Sequence, residues 1–202
     1  MKLMSFNVAI LSAALVMVEV ADAATYNMRN HQNHGHWSSM ELYLGHERFF
    51  RAINNVAYND GYLAVDHYPG SCSDPVINTR VETDEVQAES GGGVYYRVDM
   101  RVDRREVQNG LVEVQLERGD SGMYLFYMVP DKNQLLQDMR NGNTLRFQFS
   151  GENIDTWYLE FGLRGSMAAI NRAAAMCRQA SQGPEEFFRQ EGDPRQGPES
   201  FF

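Results

Sequence analysis

Two cysteines are all that this 202-residue chain contains, and the shortage excludes several chemistries. The two stand far apart, so there is no CxxC pair for thiol redox work and no Cys/His set with structural-zinc spacing. No HExxH run occurs, which removes the helical metalloprotease motif. Positive charge is also short. Lys and Arg total 18 against 27 Asp and Glu, a formal net charge of −9. Nucleic-acid phosphates are held by clusters of Lys and Arg, so no nucleic-acid partner is expected. Nor is there a basic amphipathic stretch to lie on an anionic lipid surface. Long apolar runs are scarce too. Residues 6–18 form one of 13 residues, whereas a membrane helix needs about 20.

That short run has the setting of an export signal. Lys2 precedes it, and Ala21-Asp22-Ala23 follows with the small-x-small pattern of a cleavage site. Residues 1–23 are therefore expected to be a cleaved signal peptide. No cysteine follows the apolar run, so lipid anchoring is not expected. Cleavage removes one positive and two negative charges and leaves −8. No second run of spanning length remains, so no membrane span is expected after cleavage. The expected location is periplasmic or secreted. In an oxidising compartment Cys72 and Cys177 most simply form one disulfide. Closing a loop of roughly 100 residues would stabilise the chain by about 4–5 kcal/mol in the chain-entropy picture.

Residues 24–36 are rich in Asn and His and have almost nothing to bury, which predicts a flexible polar leader. From Trp37 the pattern becomes one of strands. Met40, Leu42 and Leu44 alternate. Segments 48–58, 62–65 and 76–83 read as further strands, the first two separated by Asn59-Asp60-Gly61. After Gly91-Gly92-Gly93, the residues Val94, Tyr96, Val98, Met100 and Val102 alternate with charged ones, a half-buried strand. Segments 111–116 and 123–129 flank residues 117–122 as a hairpin. Asp131 is placed to cap a helix holding Leu135, Leu136 and Met139 and ending at Asn141-Gly142. Segments 144–149 and 154–163 are two more strands. Ser166 is expected to cap a second helix, with Met167, Ile170, Ala174 and Cys177 on its inward face. The fold expected is mainly β: one sandwich-like or curled antiparallel domain over residues 37–181, with two short helices, the last clamped by the disulfide.

Residues 182–202 form a tail expected to be disordered. Gln-Gly-Pro-Glu-Glu-Phe-Phe at 182–188 returns as Gln-Gly-Pro-Glu-Ser-Phe-Phe at 196–202, an offset of 14 residues. Phe187, Phe188, Phe201 and Phe202 are its only large apolar side chains. Two Phe pairs on one tether suit bivalent engagement of a partner, and these four residues are the candidate partner-binding set.

Three further motifs read as structure more readily than as chemistry. Arg118-Gly119-Asp120-Ser121-Gly122 contains an adhesion-type tripeptide and a serine-nucleophile-like step. A Ser nucleophile needs a His base and a carboxylate to orient it, and neither His46 nor His67 has the setting expected of that base. Gly, Asp and Ser are what a hairpin turn uses. His31, His34 and His36 could attract a transition metal, but a polar leader supplies no fixed ligand geometry. Glu82, Asp84, Glu85 and Glu89, and the strand face of Asp99, Arg101, Asp103 and Arg104, read as solvated surface. No catalytic residue, metal site or cofactor is expected.

The runs QLLQDMRNGNTLRFQFSG and YLEFGLRGSMAAINRAAAMC resemble the C-terminal module of the invasion-associated locus B family and of type VI secretion accessory proteins of the VasI kind. Gly142, Leu145, Leu163, Gly165, Ala168, Ala169 and Cys177 carry the likeness, which spans residues 134–177, about 45 of the 202. It implies a periplasmic, β-rich, non-enzymatic protein. The matching positions are cap, core and disulfide positions, so no catalytic residue is carried over. The function expected is that of a non-enzymatic exported binding or accessory protein, its partner an envelope or secretion-system protein. The rivals are a secreted hydrolase with a site in a sheet groove and a host-directed adhesin using Arg118-Gly119-Asp120.

Overall fold

In a computed structural model of the chain, residues 25–54, 56, 60–151 and 154–181 are described. The expected signal peptide and the Phe-containing tail lie outside the described residues. Those described form ten strands, all paired antiparallel in one open sheet, and two helices. The strands are β1 (Asn27–His34), β2 (Trp37–Leu44), β3 (Glu47–Asn54), β4 (Gly61–His67), β5 (Val76–Glu82), β6 (Gly91–Val102), β7 (Gln108–Leu116), β8 (Gly122–Met128), β9 (Thr144–Gly151) and β10 (Ile154–Gly162). Helix α1 (Lys132–Asn141) joins β8 to β9, and α2 (Ser166–Ser181) follows β10.

The strand order is β1-β2-β3-β4-β5-β8-β7-β6-β9-β10. Hairpins run β1 to β5. The chain then skips two places and returns through β7 and β8, so that β8 pairs with β5. Alternation decides the faces, because successive strand residues point to opposite sides. Phe50, Ala52, Leu63, Val65, Ile77, Val98, Met100, Val112, Leu125, Phe147, Phe149 and Phe161 point inward and are buried in one cluster. Tyr127 joins them, stacked on Phe147 with ring centroids 4.4 Å apart, its hydroxyl 2.8 Å from the Thr79 hydroxyl. Each such ring stabilises by about 1.5–3 kcal/mol through burial. Of the two sheet forms anticipated, the molecule takes the curled one. The Trp37 indole donates to the Gly162 carbonyl at 2.9 Å, the Asn54 amide donates to the same oxygen, and the His36 N–H reaches the Arg164 carbonyl at 3.1 Å. The end of β10 thus meets the first hairpin, and α2 packs against β2, β3 and β4 inside the curl.

Several expectations require correction. The polar leader is largely strand β1, and the sheet begins at Asn27. Apolar alternation is absent because β1 is an edge strand that buries almost nothing. Its ladder to β2 is reinforced by polar side chains: Arg29 and Asn30 donate to Glu41 at 2.7 and 2.9 Å, and Ser38 to Asn33 at 2.9 Å. Of the strand expected over 48–58, β3 covers the part to Asn54, whose side-chain oxygen accepts from the Val56 N–H at 2.7 Å; residues 55 and 57–58 lie outside the described residues. Asp131 does cap α1, accepting from the Gln134 N–H at 3.0 Å. The helix ends at Asn141-Gly142 as expected, with Gly142 extended (φ −103°). Glycine is needed there for space, since a Cβ would come within 2.2 Å of Val102 and 2.9 Å of the Asp138 carbonyl. Ser166 is the first residue of α2 and not its cap; its hydroxyl donates to the Met139 carbonyl at 2.6 Å and ties the two helices together. Met167 is exposed, and the inward face of α2 is Ala169, Ile170, Ala173, Ala174 and Cys177.

The turn into α2 rests on Gly165. Its φ is +100°, and a Cβ there would fall 1.5 Å from the His34 carbonyl oxygen of the first hairpin. Both the backbone conformation and the close approach require glycine. Gly165→Ala is expected to cost about 2–4 kcal/mol, read from the midpoint and slope of a urea transition. The Cys72–Cys177 disulfide closes 105 residues of chain. Replacing both cysteines by Ser should lower stability by about 4–5 kcal/mol in the same assay, with the oxidised parent as reference.

Candidate functional site

The disulfide holds the C-terminus of α2 against the loop between β4 and β5. Short polar contacts complete the clamp. The Ser181 hydroxyl donates to the Cys177 carbonyl at 2.9 Å and accepts from the Gly70 N–H at 3.3 Å. Arg48 on β3 donates to the Ala180 carbonyl at 3.4 Å. His67, buried at the end of β4, places Nδ1 2.8 Å from the Cys72 carbonyl, while its Nε2 has no partner. Burial holds the His67 imidazole below its ordinary pKa, and the Arg140 and Arg178 cations act in the same direction.

Beside this clamp the sheet carries an open depression of about 530 Å³, lined by Tyr26, His46, Glu47, Arg48, Phe49, Tyr68 and Pro69. The β2–β3 hairpin supplies His46 to Phe49, and the end of β4 leads into Tyr68 and Pro69. Tyr26 reaches in from just before β1, its hydroxyl donating to Glu47 at 2.8 Å. Three rings build the wall: Tyr26 stands edge-on to Phe49 at 5.2 Å and Tyr68 stacks on Phe49 at 5.3 Å. Behind Phe49 lies Arg51, 5.2 Å from its ring centre and 5.6 Å from that of Tyr62. Arg51 grips Asp66 with two hydrogen bonds of 2.7 and 2.8 Å, and Asn78 donates to the same carboxylate at 2.8 Å. Asp66 is 1% exposed, so this is a buried charge fully paired, the condition under which such burial is tolerated. Burial and the nearby Asp66 charge push the Tyr68 hydroxyl up to about 12. The hydrogen bond to Glu47 raises that of Tyr26. Both hydroxyls stay protonated through the physiological range. The depression is equipped to hold aromatic or aliphatic groups with a polar rim.

The β7–β8 turn carries the serine motif, and its groups are committed to one another. Asp120 accepts from Arg80 at 2.6 Å, from the Gly122 N–H at 2.8 Å and from the Tyr124 hydroxyl. These bonds, that from Tyr124 foremost, hold the Asp120 carboxyl down to about 2. Ser121 donates to Glu82, which also accepts from Arg80 at 2.5 Å. Glu82 and Gly122 pair at one end of β5 and β8, whereas His46 and His67 lie at the other end of the strands. A seven-residue strand spans roughly 20 Å, so neither imidazole reaches Ser121. The carboxylate that an adhesion loop would present is likewise engaged, by Arg80, Tyr124 and the Gly122 N–H. His34 bonds the Ser39 hydroxyl at 2.8 Å, and no group of three or more His, Cys, Asp or Glu is arranged to hold a metal among the described residues. Asp84, Glu85 and Glu89 are exposed. Asp103 accepts from the Asn143 and Thr144 N–H groups, each at 3.0 Å, and braces the turn into β9.

Sequence reasoning missed the depression because its rings come from separated segments. The readable signal was the pair Arg51 and Asp66, charges inside otherwise apolar strands. Phe187, Phe188, Phe201 and Phe202, the expected partner-binding set, lie outside the described residues.

No family model matches the chain, and no curated protein matches it. Among solved structures, invasion associated protein B from Bartonella henselae is similar at a TM-score of 0.48 and 17% sequence identity, over 73% of this chain and 98% of that one. This is a distant structural resemblance.

Asp120 supplies a pH signature. Its carboxyl lies below the ordinary value of about 3.9 in the folded chain, so its stabilisation is present above pH 4 and is lost as pH falls toward 2. Asp120→Asn should cost about 1–3 kcal/mol at pH 7, and urea transitions should show the gap between variant and parent closing between pH 4 and pH 2.

Proposed function

We propose that this chain is a non-enzymatic exported binding protein, an accessory to an envelope or secretion assembly. In this reading residues 1–23 direct export, residues 37–181 with β1 form the folded domain, and residues 182–202 engage an envelope or secretion-system protein through Phe187, Phe188, Phe201 and Phe202. The observation that carries the reading is the Cys72–Cys177 clamp. A disulfide fits a compartment outside the cytoplasm, and this one anchors the last helix where the Phe-bearing tail begins. No helix among the described residues is long and apolar enough to cross a membrane. The kinship with type VI accessory proteins of the VasI kind, suggested by residues 134–177, belongs to the same proposal. Neither rival gains support, since Ser121 is bonded to Glu82 and Asp120 to Arg80 and Tyr124.

The test is affinity capture from envelope extract using the mature chain, the chain ending at Ser181, and a variant with all four tail Phe changed to Ala. A partner should be enriched on the mature chain and fall by about tenfold or more on the other two, the loss expected when buried aromatic anchors worth over 1.4 kcal/mol are removed. Equal recovery on all three, or no partner on any, would defeat the reading.

A further inference from the structure

The C-terminus of α2 and the aromatic depression share their boundary residues. Arg48 lines the depression and also holds the Ala180 carbonyl at 3.4 Å. Pro69 lines it, and the next residue, Gly70, donates to the Ser181 hydroxyl at 3.3 Å. Helix α2 therefore ends, at Ser181, by the rim of the depression. We propose that the depression is the seat of this chain's own Phe187-Phe188 pair, bound within the same molecule.

Reach, chemistry and charge agree. Phe187 is the sixth residue after Ser181, and extended chain covers up to about 20 Å in six residues. Helix α2 lies inside the curl and Phe49 faces the opposite side of β3 from the inward Phe50, so the segment has to turn round the ends of the strands, which this length allows. Gly183-Pro184 is a dipeptide suited to such a turn. The volume of about 530 Å³ falls within the roughly 300–1,000 Å³ of small-ligand pockets. Its walls are Tyr26, Phe49 and Tyr68, with Tyr68 39% exposed, and aromatic side chains pack edge-on or offset against such rings. Glu185 and Glu186 immediately precede the Phe pair, and the seat is lined by Arg48 and His46, its one carboxylate, Glu47, being engaged by the Tyr26 hydroxyl. The second Phe pair is 14 residues further along the tail, and effective concentration at a nearby site falls as the tether lengthens beyond the span. The first pair therefore occupies the seat and Phe201-Phe202 stays available. This goes beyond the proposed function, since docking within one molecule needs no partner. A partner that recognises Phe pairs would compete with the protein itself for one of the two copies.

Photo-crosslinking tests it. A benzoylphenylalanine placed at Phe188 in the mature chain is irradiated over a hundredfold dilution series, and the products are mapped by mass spectrometry. Crosslinks should fall on residues 46–49 or 68–69 of the same molecule, with a yield independent of protein concentration. Tyr68→Ala should abolish them and Tyr68→Phe should retain them. Crosslinks between copies that rise with concentration would overturn the proposal, as would crosslinks confined to other surfaces or none at all. A partner captured from extract without these crosslinks would leave the functional reading standing and remove this one.

Discussion

The Gly162 carbonyl, at the end of β10, accepts from the Trp37 indole and the Asn54 amide, side chains of β2 and β3. Those strands stand second and third in the sheet and β10 stands tenth, so the bonds exist only if the sheet curls until its two flanks meet. Curling makes the inner face concave. The concavity admits α2, whose small residues Ala169, Ala173 and Ala174 let it lie close to the strands. Gly165 then becomes obligatory, because the chain must pass from β10 into α2 directly beneath the His34 carbonyl. The disulfide fixes the far end of the helix that the curl encloses.

The parts legible from the amino acids are those where one local rule governs. Residues 94–102 alternate cleanly, and β6 follows the alternation, although Val94 at its outer end is exposed. Asp131 caps α1 as its side chain dictates. Cys72 and Cys177 pair because only one pairing exists. Illegible parts depend on what the other side of the molecule does. Strand β1 has no apolar pattern because an edge strand over polar neighbours needs none. Ser166 bonds α1 instead of its own helix because Met139 happens to lie within reach. The depression is assembled from Tyr26, Phe49 and Tyr68, residues whose proximity is created by two hairpins and invisible to any single window of sequence.

A second layer covers part of the outer face, where a single sheet would ordinarily leave strands wet. Arg51 lies between Phe49 and Tyr62, clasping Asp66, and further on Arg80 lies beside Tyr124 and Asp120. These arginines cover the strands with their flat guanidinium groups and satisfy the carboxylates beneath them. A buried, fully bonded ion pair contributes little net stability compared with apolar packing but tolerates few alternative arrangements. The outer layer therefore holds β3, β4 and β5 in register and keeps the rings of the depression at fixed angles.

The sheet is not a closed barrel, so β1 and β10 each leave an edge. Both edges are irregular. The β1 ladder slips between Arg29 and Gln32, with Asn30 in the left-handed region at φ 55°, and the β10 ladder slips between Ile154 and Trp157. Arg172 from α2 occupies the Asn30 carbonyl at 2.8 Å. A straight, unblocked edge invites another molecule to extend the sheet, and bulges and charges discourage that. The register slips at both edges, with Arg172 against β1, therefore oppose the strand-by-strand addition of another copy to the sheet.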